Sequence, residues 1–149
     1  MSAAAPAGRL AVDLVTCDGQ RTSGWLLLRP HGQDHETLGD RLNDATERFL
    51  SCEIEGRSEL IRRSWVACVS HAGALPEVED RLAAGAGREP VELELMGGCH
   101  LRGELLHMLP STRRRVMDLV NAPGVAFLLM ISGSESIYVN RASVVRVRV

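Results

Sequence analysis

Two acid–base pairs recur along this chain at one separation. Asp40 stands 23 residues before Arg63, and Asp118 stands 23 residues before Arg141. A half-buried carboxylate paired bidentately with a guanidinium is a strong contact, and losing one partner strands the other. These four residues are expected to form two structural salt bridges, each tying a short helix to the last hairpin of its unit. Asn43 and Asn121 each follow the aspartate by three residues. Asparagine tolerates the left-handed backbone that ends a helix, and that is the role expected of both.

The other chemistry-bearing side chains are scattered. His31, His35 and His71 are metal-ligand types, but the first two share a loop and no cysteine is suitably spaced, so no metal is expected. His100 and His107 are seven residues apart on one strand, an odd spacing that puts them on opposite faces. Cys17, Cys52, Cys68 and Cys99 contain no C-x-x-C and read as buried free thiols of a cytoplasmic protein. No G-x-S-x-G, Walker A or H-E-x-x-H pattern is present. The chain is therefore read as non-enzymatic and without a cofactor. Arg113-Arg114-Arg115 is a local basic cluster, suited to phosphate, to an acidic protein partner or to solvent.

The recurrence of Asp, Asn and Arg belongs to a longer repeat. At an offset of 78, residues 38–69 match 116–147 at eight of 32 positions, including Asp40/Asp118, Asn43/Asn121, Phe49/Phe127 and Arg63/Arg141. At an offset of 79, residues 12–27 match 91–106 at six of 16, including Gly24/Gly103. Composition alone would give about four matches in these two windows together. The fold class expected is mainly β: a tandem duplication of a small five-stranded β-barrel-like unit, with a short helix inserted after the second strand. The order is β-β-α-β-β-β, twice.

The domain plan follows. Residues 1–9 form a flexible tail, 10–70 the first unit, 71–88 a linker with a short helix, and 89–149 the second unit. Strands are expected near 10–17, 21–28, 48–54, 58–62 and 64–69, and near 91–96, 99–107, 125–132, 135–139 and 142–149. Helices are expected near 36–43 and 112–120, with Thr37-x-x-Asp40 as a capping box. Asp18-Gly19 reads as a type I′ hairpin turn. Gly24 and Gly103, inside strands, mark a bulge or a close backbone approach.

Composition limits the function classes. The formal net charge is −2, aromatic residues are 3% and all 17 basic residues are arginine. No global field draws nucleic acid, and stacking platforms are scarce. The start of the chain has no basic region followed by an apolar stretch, and the longest apolar run, Val125–Ile131, is too short to span a bilayer.

"GGCHLRGELL" (97–106) and "IYVNRASVVRV" (137–147) resemble the two halves of an Sm/LSm motif. The resemblance implies a small SH3-like barrel. Were the family's function to carry over, Asn121 and Arg141 would contact bases and Arg113–Arg115 the phosphates.

The two copies part after their shared Phe-Leu, where one reads "SCEIE" and the other "LMISG". Leu50, Cys52 and Ile54 form one strand face, and Leu128, Met130 and Ser132 its counterpart; this face is expected to be each unit's own core. The opposite face is Phe49, Ser51 and Glu53 in the first copy, but Phe127, Leu129 and Ile131 in the second. A strand apolar on both faces needs cover on both. Phe127, Leu129 and Ile131 are therefore the expected protein interface, packing against the first unit, the linker helix, a second copy or a partner. The function expected is a non-catalytic scaffold or adaptor that binds a protein partner or itself mainly through its second unit. An Sm-like nucleic-acid-binding module is the alternative. A small-ligand sensor at the cleft between the units is a third reading.

Overall fold

A computed structural model describes residues 8–110, 116–122 and 124–149. The first half contributes β1 (Arg9–Thr16), β2 (Arg21–Leu27), a miniature hairpin of β3 (Pro30–His31) and β4 (Asp34–His35), α1 (Leu38–Asn43), β5 (Phe49–Ile54), β6 (Arg57–Arg62) and β7 (Val66–Ala72). After α2 (Pro76–Ala83), the second half contributes β8 (Gly87–Leu95), β9 (His100–His107), α3 (Val116–Asn121), β10 (Phe127–Ser132), β11 (Glu135–Asn140) and β12 (Val144–Arg148). Single 3-10 turns, Arg63–Trp65 and Arg141–Ser143, join the last two strands of each half. No described helix is long and apolar enough to cross a membrane.

All the longer strands lie in one ten-stranded antiparallel sheet, ordered β12-β8-β9-β10-β11-β7-β1-β2-β5-β6. Under the sequence offset, β7-β1-β2-β5-β6 and β12-β8-β9-β10-β11 are the same order. The halves thus lie head to tail, joined where β11 pairs with β7. The sheet is open, whereas five-stranded barrel-like units were expected. Among the described residues, no ladder joins β6 to β7 or β11 to β12. The physical reason lies at the junction: β7 is already flanked by β1 and β11, so the strand that would close the second half is paired to the first instead.

Sharp bending of the strands is visible at two equivalent glycines. A Cβ on Gly24 would sit 2.7 Å from the Glu53 carbonyl oxygen, and one on Gly103 would fall closer still to that of Ile131. Only glycine lets the second strand of each half press this closely on the next. The Asp18-Gly19 turn differs from expectation. Gly19 has φ of 86°, but Asp18 is not in the left-handed region, so the turn is not type I′. That geometry falls instead at Glu55-Gly56, with φ of 51° and 75°, between β5 and β6.

Among the described residues two hydrophobic cores form, and each borrows from the other half. The first gathers Leu14, Leu26, Leu38, Leu42, Leu50 and Val69 with Leu75 and Val78 of the linker region, and takes in Phe127, Leu129 and Tyr138 from the second half. The other gathers Leu93, Leu95, Leu105, Leu119 and Met130, and takes in Val15, Ala67 and Cys68 from the first half.

Candidate functional site

The junction between the halves shows how this fold makes an interface. β11 and β7 run antiparallel with Ile137 opposite Ser70, Tyr138 opposite Val69 and Val139 opposite Cys68. Beside this ladder, Asn43 at the end of α1 grips the start of β10. Its Oδ1 accepts from the Phe127 N–H at 2.8 Å, and its Nδ2 donates to the Phe127 carbonyl at 3.4 Å. The amide supplies both bonds that a neighbouring strand would supply. Tyr138 crosses the junction to lie on α1, where a Cβ on Gly39 would fall 2.5 Å from its hydroxyl oxygen. The linker helix locks this contact: the Glu77 carboxylate accepts from the Tyr138 hydroxyl at 2.9 Å and from the Gly39 N–H at 3.0 Å. Burial, then the Glu77 charge, raises the Tyr138 pKa far above its ordinary value, so the phenol remains a donor. Further along, Asn140 donates to the Val66 carbonyl and Ser143 to the Ala67 carbonyl.

Phe127 and Leu129 are 2% and 1% exposed, and Ile131 packs beside them. The two-faced strand is thus covered by the first half and the linker region. As a docking surface for a separate partner, the expected face is already occupied: it is an interface inside the chain.

The expected salt bridges are absent among the described residues: no ion pair joins Asp40 to Arg63 or Asp118 to Arg141. Asp40 is occupied by the capping box, its carboxylate accepting from the Thr37 N–H at 3.3 Å while its own N–H donates to the Thr37 hydroxyl at 3.0 Å. Arg63 does tie the helix to the last turn, but through the Leu42 carbonyl at 3.0 Å. The ion pairs of α1 belong to its neighbour Arg41, buried between Asp44 at 3.0 Å and Glu36 at 3.7 Å. Arg141 is half-buried at a cavity of about 460 Å³ that Arg81 and Phe127 also line. Asn121 is exposed at the end of α3. Arg113, Arg114 and Arg115 lie outside the described residues.

A groove of about 530 Å³ brings Asp13, Ser23 and His71 together, the residue types of a nucleophile relay. Their bonds run elsewhere: the Ser23 hydroxyl donates directly to Asp13, and His71 Nδ1 pairs with the Ala11 carbonyl at 2.7 Å. His107 is buried with Nε2 at 3.1 Å from Glu89, whereas His100 is exposed, as their odd spacing requires.

A thiol pair spans the halves. Cys68 on β7 and Cys99, next to the β8–β9 turn, line one small cavity with Arg21, and interaction with the Cys68 thiol, helped by the Arg21 and His100 charges, lowers the Cys99 pKa to about 6. Cys68, the buried partner, is pushed far up by its interaction with Cys99 and by burial. Burial raises Cys52 to about 11. The sequence carried no spacing signal for the pair, because sheet order, not chain proximity, brings its members together.

No family model matches this chain, and comparison with curated proteins and with solved structures finds no match.

The ends of the sheet are the counterparts of this junction. At the sequence offset of 78, β6 at one end aligns with β11, and β12 at the other aligns with β7. Both present an unpaired ladder edge among the described residues. Their surroundings are apolar and uncovered: Phe49 is 42% exposed where its counterpart Phe127 is buried, and Leu60 is 70% exposed where its counterpart Tyr138 is 1% exposed. On the other end, Met117 is 71% exposed at the position equivalent to Gly39, and Val145 is exposed where Ala67 is fully buried.

Proposed function

We propose that the protein is a non-catalytic scaffold that binds protein through the two ends of its open sheet. On this reading the halves are copies of one five-stranded unit. The junction between them is the working example of what each end can hold. The observation that carries the reading is the exposure of Phe49 and Leu60 on one end, and of Met117 and Val145 on the other, at positions whose counterparts are buried. Exposed apolar residues beside an unpaired strand edge mark interaction surfaces. The free thiols support a reducing, cytoplasmic setting.

The test places a photo-crosslinking side chain at Leu60, at Val145 and, as a control, at Arg102, which is exposed on β9 within the sheet. In the native host the two end positions should yield discrete crosslinked protein species and the control position none. Equal crosslinking at all three, or none at the ends, would refute the scaffold reading.

A further inference from the structure

We infer that the partner of one sheet end is the opposite end of a second copy of this chain, with β6 of one molecule pairing antiparallel to β12 of the next. The inference rests on the scaffold reading and names the occupant of its two surfaces.

The internal junction supplies the template. Shifting its register by the repeat offset of 78 places Glu59 opposite Arg148, Leu60 opposite Val147 and Ile61 opposite Arg146. Glu59 and Arg148 are both exposed, and the register sets them side by side as an opposite-charge cross-strand pair. The same charges argue against a two-fold arrangement. Two β12 edges brought together would confront Arg146 and Arg148 with their own copies, a like-charge contact that disfavours that pairing.

The flanking contacts carry over as well. Asn43 holds the Phe127 backbone, and its counterpart Asn121 is retained, exposed, at the end of α3. In the second junction Asn121 of one copy meets the Phe49 backbone of another. Tyr138 lies on Gly39, a large residue over the smallest one. The equivalent pair is Leu60 over Met117, where the loss of the ring is matched by the gain of a side chain. Retention of Asn121 with exposed Phe49, Leu60 and Met117 is what a reusable junction requires.

The outer contact is wetter than the inner one. Ser51 and Glu53 stand where Leu129 is buried and Ile131 partly buried, and Glu53 is bonded to Arg9. Arg62 lies 5.1 Å over the Phe49 ring. The association is therefore reversible and concentration-dependent. Because the two surfaces differ, it is heterologous, and successive copies extend until the rotation closes a ring or a filament grows.

The experiment measures mass in solution by sedimentation over a concentration series. It uses the full chain, Glu59→Arg, Arg148→Glu and an equimolar mixture of the two variants. The unaltered protein should exceed monomer mass, rising with concentration. Each single reversal should weaken association by about tenfold or more, with unchanged circular dichroism. The mixture should recover it, since the arginine introduced on β6 of one variant then meets the glutamate introduced on β12 of the other, and the unaltered pair meets at the alternate junction. A monomeric unaltered protein, an assembly indifferent to both reversals, or a mixture that fails to recover would each overturn the inference. Crosslinks from Leu60 to a different protein, with the isolated chain monomeric, would end this inference and leave the scaffold reading intact. Asn121→Ala offers a second variant at the same junction and should weaken association while leaving the fold unchanged.

Discussion

Asn43 does for Phe127 what a neighbouring strand would do, accepting from its N–H and donating to its carbonyl. Asn43→Ala removes both bonds and leaves the Phe127 N–H without its acceptor beside a core. The variant should lose about 1–3 kcal/mol, read as a lower urea midpoint. Asn121→Ala, at an exposed position, should keep the stability of the unassociated chain within about 0.5 kcal/mol. The contrast between two residues of one repeat position separates a helix stop, which would affect both alike, from a clamp used once within the chain. A second residue-scale expectation concerns Cys99. The Cys68 thiol stabilises the Cys99 thiolate, so the lowered pKa means the anion predominates above about pH 6. Alkylation of Cys99 by iodoacetamide should rise with pH and level off above about 6. Cys68→Ala should shift that inflection upward, while Cys52, raised to about 11, stays unreactive over the same range. An inflection in the ordinary thiol range in the unaltered protein would contradict the pairing.

At the scale of elements, the β5–β6 hairpin holds a residue in an unfavourable backbone region. Glu55 has φ of 51°, where a side chain with a Cβ costs about 1–2 kcal/mol. Asn tolerates that region and forms with Gly56 the preferred Asn-Gly turn. Glu55→Asn should therefore stabilise by about 1 kcal/mol, raising the melting temperature by a few degrees. The type I′ geometry was expected at Asp18-Gly19 instead for a physical reason: Asp-Gly is the commoner signal, but there only Gly19 needs positive φ. Strands and helices were legible because alternation, glycine placement and the Thr37-x-x-Asp40 cap are local features. Gly24 and Gly103 announced close approach, and the carbonyls of Glu53 and Ile131 provide it. The partners of charged groups were not legible. Asp40 and Arg63 recur with Asp118 and Arg141, yet recurrence cannot tell a carboxylate that caps its own helix from one that meets a distant guanidinium. Nor could it tell a barrel from an open sheet, since that choice turns on whether β11 closes on its own half or pairs with β7. The apolar second face of β10 was another long-range signal the sequence carried. It announced that Phe127 and Leu129 need cover without saying that the first half supplies it.

At the scale of the whole molecule, the exchange of side chains between cores decides how the chain unfolds. Phe127, Leu129 and Tyr138 sit in the core of the first half, while Ala67 and Cys68 sit in that of the second. Neither core is complete without the other half, so the two should unfold together even though each has its own sheet order and helix. The tryptophans make this testable. Both, Trp25 and Trp65, lie in the first half, so fluorescence reports that half alone, while far-ultraviolet circular dichroism reports the entire sheet. Leu129→Ala removes buried volume contributed by the second half and should cost about 2–5 kcal/mol. If the cores form one cooperative unit, the fluorescence and dichroism midpoints in urea coincide in the unaltered protein and move down together in the variant, because losing Leu129 opens the core that surrounds the first half. Two separated transitions, or a fluorescence midpoint that stays in place while dichroism shifts, would show that the halves are independent units that merely share a ladder.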